Sequence, residues 1–237
     1  MQLHDDSPDW FQEIDLDSST LSYHLSHPET STTAYIKAQN IALGADVLQK
    51  KRVYLDQKYW IYCREAARNS SKQTIYKHLY ETLQKGVKDG QLICPASHLI
   101  LEETLKQTDS ATRDLTAHII QELSDGITIQ PIDVLDQAEI LHFLMTTRSW
   151  KVEAYPIEQL AWTYIGNVFG HPIPVNEMFD QETNRAIQKT WFDLMAKIKF
   201  PTLVKALASM PDRLMHTANE FYECQNEQCE AHKEDFR

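Results

Sequence analysis

At 237 residues with 42% hydrophobic content, the chain is long enough for one sizeable α/β domain, or one with a helical annex, burying roughly 70% of its unfolded surface. No apolar run approaches the roughly 18 residues of a membrane-spanning helix, and the opening MQLHDDSPDWFQEIDLD lacks the basic start and apolar core of a secretory signal, so no membrane association is expected. A formal charge of −11 argues against broad affinity for nucleic acid, and four scattered cysteines make no disulfide framework, which points to a reducing, cytoplasmic compartment.

The acid is unevenly spread: residues 1–50 carry eight Asp/Glu against two Lys, and residues 220–237 carry six against two Lys/Arg. The middle is close to balanced. Residues 1–32, polar and rich in Ser and Thr, read as an acidic, partly extended arm. A helix is expected over 33–48. RVYLD (52–56) has the β-branched and aromatic content of a short strand, and KYWIYCREAARN after it repeats its apolar positions every three to four residues, as a helix does. TIYKHLYETLQKGV (74–87) is a second amphipathic helix, closed by the turn residues KDGQ.

QLICPAS (91–97) reads as a second strand closed by proline, followed by the helix SHLILEETLKQ with Ser97 as N-cap. DLTAHIIQELSDG is a further helix, ITIQPI (127–132) a third strand, and DVLDQAEILHFLM a helix with Asp133 in the N-cap position. This alternation predicts an α/β fold: a short parallel sheet with crossover helices over 33–150, plus a helical C-terminal half over 151–237 that either stands alone or completes the same domain. Beyond about Trp150 only helices are expected, including IEQLAWTYIGNVFG.

In a parallel α/β sheet, ligands collect outside the carboxyl ends of the strands. Asp56 ends the first predicted strand, Glu102 and Glu103 lie on the first turns after the second, and Asp133 follows the third. Two carboxylates about 4 Å apart repel by roughly 4 kcal/mol at an effective dielectric near 20. Such a pair calls for a proton or a hard divalent cation with oxygen ligands, and Mg²⁺ or Mn²⁺ there would activate water and bind a phosphate oxygen. The competing reading is structural, with Asp56 as a helix cap and the glutamates as solvated surface residues.

VYLDQKYWIYCREA, followed some 40 residues later by ICPASHLILEETLKQ, resembles the first two motifs of the PIN-like nuclease superfamily over about residues 45–135. The resemblance implies a PIN-like α/β core and a metal-dependent endoribonuclease hydrolysing phosphodiester bonds of RNA or single-stranded nucleic acid, a type of enzyme that serves in toxin or defence systems. It makes Asp56 and Glu103 the catalytic and metal-binding carboxylates, with Glu102 as the fallback, and puts Ser97 at the turn near Asp56 or the substrate. The family also supplies one or two later acidic residues, and this chain offers only Asp193 and Asp133 for that role. A pair without its third ligand leaves the alternative of a catalytically silent, PIN-derived module that binds another protein or its own copy through the helical half.

Lys58 and Arg113, with Arg64 and Lys106, are candidates for a positive rim facing phosphate, against the ordinary reading of a solvated face. Tyr59, Trp60 and Tyr62 could stack bases, though packing against the sheet is the commoner use of such residues. Cys224, Cys229 and His232, with His216 upstream, match no common zinc spacing. Six glycines and no glycine-rich phosphate loop count against a dinucleotide or P-loop fold.

Overall fold

The computed structural model describes residues 18–68, 74–147, 157–169 and 178–209. Helix starts are set by short polar side chains that accept the otherwise orphaned N–H groups of a first turn. Ser31 accepts from Ala34 N ahead of α2 (Thr32–Leu48), and Asp56 accepts from Gln57 N ahead of α3 (Gln57–Ala67). Ser97 does the same for α5 (His98–Leu105), Asp109 for α6 (Ser110–Ser124) and Asp180 for α9 (Gln181–Ala196). The remaining helices are α1 (Ser18–Leu25), α4 (Thr74–Lys88), α7 (Ile132–Thr147), the single-turn α8 (Ile157–Leu160) and α10 (Phe200–Ser209).

The strands are very short. β1 (Lys51–Arg52) pairs in parallel with β2 (Leu92–Ile93), and β3 (Ile127–Ile129) pairs antiparallel with β4 (Trp162–Tyr164). A parallel bridge between Ala96 and Thr128 joins the two pairs. Ile93 offers its carbonyl to Val53 N on one side, whereas Ala96 exchanges hydrogen bonds with Ile127 and Ile129 on the other, so the strands lie in the order β1-β2-β3-β4. α3 and α4 cross over from β1 to β2, and α5 and α6 from β2 towards β3. Successive side chains of a strand point to opposite faces, and both faces are covered. Ile93 and Ile127 join Leu43 and Val47 of α2 and Trp162 on one face, while Cys94 joins Trp60, Leu101, Ile120, Phe200 and Val204 on the other. That second cluster runs from Leu55 to Val204, so α10 and the 3₁₀ turn at Ile165–Asn167 share a core with α3, α5 and α6.

The molecule is a helix-dominated mixed α/β protein with a short parallel strand pair. Part of the acidic arm is helical: Ser18–Leu25 forms α1, and its His24 is buried against α9, where it meets Asp193. Two expectations are corrected. The segment after residue 150 is not all helix, since Trp162–Tyr164 satisfies the open edge of β3 and its aromatic and β-branched residues suit a strand. Asp133 does not cap α7. The Pro131 carbonyl receives Val134 N and Leu135 N, leaving Asp133 inside the first turn. Residues 1–17 of the arm and residues 210–237, with the Cys224, Cys229, His232 and His216 group, lie outside the described residues. Among the described residues no helix is long and apolar enough to cross a membrane.

Candidate functional site

The ladder of β1 ends when Val53 N reaches Ile93 O at 2.9 Å, after which the chain runs through Tyr54 and buried Leu55 to Asp56. Asp56 is extended (φ −66°, ψ 157°), and its carboxylate accepts from Gln57 N at 2.8 Å. Its capping role is therefore real, and it holds the side chain at the strand exit. The parallel partner ends in the same way: Ser97 caps α5 and lies 3.3 Å from the Tyr54 hydroxyl, tying the two strand exits together.

Glu103 comes up one turn into α5. Its Oε2 accepts from Gln57 Nε2 at 3.1 Å, and its Oε1 accepts from Lys106 Nζ at 2.7 Å. Lys106, with help from Gln57, holds this carboxyl below the ordinary glutamate range. Its neighbour Glu102 is exposed, while Glu103 is half-buried, as the 100° turn between successive helical residues requires. Gln57 thus joins the two carboxylates, its backbone N–H on Asp56 and its side-chain amide on Glu103. No signal in the sequence marked Gln57 apart from its place next to Asp56.

Beside Gln57 and Glu103 is a cleft of about 10 Å³, lined also by Trp60, Thr104 and Gln107 among others but not by Asp56, room for about one water. Trp60, 2% exposed, points an indole N–H without an acceptor among the described residues. It is a packing residue, whereas Tyr62 stacks on Tyr76 with ring centroids 3.9 Å apart and Tyr59 stays exposed. Lys58 reaches over the Tyr62 ring. Arg113 donates to Gln107 O, bracing the turn between α5 and α6.

Asp193 is not brought to this crevice. It projects from α9, accepting from Tyr35 OH at 3.0 Å and meeting His24 Nε2 at 2.8 Å. One turn earlier, buried Lys189 donates to the carbonyls of His27 and Thr30. This cluster fastens α1 and the loop after it onto α9. Sequence reading missed it, although the Lys189 and Asp193 spacing of four does put both on one helix face. Burial first, and Asp193 second, push the Tyr35 phenol well above its ordinary value. A cavity of about 520 Å³ lies between the starts of α2 and α9 beside Thr32, Asn184, Arg185 and Gln188, away from Asp56 and Glu103. Among the described residues, no three His, Cys, Asp or Glu side chains gather closely enough to hold a metal ion. Comparison with family models, with curated proteins and with solved structures finds no match to this chain.

Proposed function

We propose that this chain is a PIN-like endoribonuclease whose crevice at the carboxyl ends of β1 and β2 takes Mg²⁺ or Mn²⁺ on Asp56 and Glu103. The observation that supports this reading is the joining of these two carboxylates, from different strand exits, through Gln57. The donor set fits Mg²⁺ rather than a full protein cage, because Mg²⁺ commonly takes one or two carboxylates and leaves its other positions to water and substrate phosphate. Such an ion, when bound, polarises a phosphoryl oxygen and makes its water more acidic. Asp56 is rigid because it caps α3, and Glu103 is ionised beside Lys106. Exposed Tyr54, its hydroxyl held against buried Ser97, offers a hydroxyl at the lip, and exposed Lys58 offers a cation to the phosphate backbone.

The test is cleavage of labelled single-stranded RNA in Mn²⁺, with an EDTA control, by the wild type, Asp56→Asn and Glu103→Gln. Asparagine caps a helix as well as aspartate does, so Asp56→Asn removes the charge and spares the fold. Cleavage should disappear in both variants and in EDTA; undiminished cleavage by Asp56→Asn sinks the assignment. A second reading, a catalytically silent protein-interaction module, is favoured by the engagement of Asp193 with His24 and Tyr35. Calorimetric titration with Mn²⁺ separates the two, because a silent site gives no heat that depends on Asp56.

A further inference from the structure

We infer that the outward face of α7 docks a cationic amphipathic helix of a partner protein. The 16 residues of α7, IDVLDQAEILHFLMTT, include six aliphatic side chains of Ile, Val and Leu, yet none of the 16 is buried. Leu135, Ala138 and Met145 are half-buried along the inner stripe, and α8 packs against this helix. Ile132, Ile140 and Phe143 point away from it, 67%, 61% and 63% exposed. At 100° per residue these three fall within an arc of about 80°, so they share one side of the helix, a strip in which Asp136 is exposed between Ile132 and Ile140. Large apolar side chains gathered on one exposed side and rimmed by polar residues mark a place where another molecule can sit.

Charge decides what sits there. Asp136 stands within the strip and Asp133 and Glu139 at its borders, while residues 132–147 contain no Lys or Arg. An occupant must cover apolar side chains and bring cations to three carboxylates. The chain's own termini do not meet that requirement: residues 1–17 carry six Asp/Glu and no Lys/Arg, and residues 210–237 carry seven against three. A second copy would bring the same three carboxylates and no cation. RNA would set phosphates against them. A helix of about four turns, with leucines at i, i+3, i+4 and i+7 and Lys/Arg on their flanks, matches both the length of α7, about 24 Å, and its chemistry. None of Asp56, Ser97 or Glu103 lies on α7, so this inference stands independently of how the crevice is read.

The test is fluorescence anisotropy of the full chain with three labelled 16-residue peptides: a Leu/Lys amphipathic helix, its Leu/Glu counterpart, and a Ser/Lys peptide of equal charge. The Leu/Lys peptide should bind in the micromolar range and the other two at least tenfold more weakly. The double variant Ile140→Ser/Phe143→Ser should weaken binding at least tenfold, with unchanged circular dichroism because both side chains are exposed. Asp136→Asn/Glu139→Gln should weaken it about three- to tenfold and flatten its salt dependence. Equal binding of the Ser/Lys peptide, no binding of the Leu/Lys peptide, or no effect of the serine variant would overturn the inference. So would a wild-type dimer in light scattering that the serine variant dissociates, which would make a second copy the occupant.

Discussion

Two lysines show how burial sets the worth of a charge. Lys106 and Glu103 form a pair with both side chains substantially exposed, at 57% and 38%, so water and salt screen their attraction. If Glu103 holds a divalent ion, Lys106 competes with it, so Lys106→Gln should tighten Mn²⁺ binding about two- to fivefold by calorimetry; weaker binding would mean that Lys106 supports the site instead. Lys189 is the opposite case. At 1% exposure it donates to two carbonyls of the loop after α1, His27 at 2.9 Å and Thr30 at 3.3 Å. Lys189→Met leaves both acceptors without their donor and should cost about 1–3 kcal/mol, seen as a Tm lower by about 2–12 °C in calorimetry. Neither role was legible in sequence, because a lysine in an amphipathic helix looks the same whether its ammonium meets solvent or a folded-back loop.

At the scale of the element, close approach matters more than propensity. Gly44 lies inside α2, where alanine would be the better helix former by about 1 kcal/mol. A Cβ at this position would run into the backbone carbonyl of Gln159 in α8, which cannot rotate aside as a side chain could. Gly44→Ala should therefore destabilise by about 1–3 kcal/mol in urea titration despite its propensity; a neutral or stabilising result would mean that α8 shifts freely. Helices α2 to α6 were readable from sequence because their signals are local: an apolar repeat, and at four of the five starts a Ser or Asp whose side chain meets a backbone N–H within three residues. β4 was not. Its three residues sit between apolar positions at helical spacing, and its extended form depends on hydrogen bonds to β3, more than 30 residues away.

For the whole molecule, the two described cysteines report on the integrity of the core. Cys63 and Cys94 are both fully buried free thiols. Burial pushes Cys63 from its ordinary 9.0 up to about 11, and burial with the neighbouring Cys63 pushes Cys94 up to about 12. Above pH 9 the unfolded chain releases these protons while the folded one keeps them, so the stability associated with them is intact below about pH 9 and falls as pH rises through 11 and 12. The urea midpoint should drop between pH 8.5 and 10.5, and Cys63→Ala/Cys94→Ala should shallow that drop. Half-buried Tyr35 and buried Tyr80, whose phenols are also raised, add to that slope. An unchanged slope in the double variant would mean that the thiols are not protected in the fold.

By itself the sequence determined the mixed α/β class, the order of the first three strands and their helices, and the positions of Asp56 and Ser97 at strand exits, because each rests on residues within a few positions of one another. Only the tertiary structure decided which carboxylates share a neighbour. Gln57 reaches Glu103 across 46 positions and His24 reaches Asp193 across 169, so Asp193 serves the α1–α9 clasp rather than the crevice. It also decided that α7 exposes its apolar strip, since a periodic pattern marks an apolar face without saying what will cover it. The physical reason is the same in both cases. Local propensity and capping act along the chain, whereas pairing between distant side chains depends on how the packed layers bring them together.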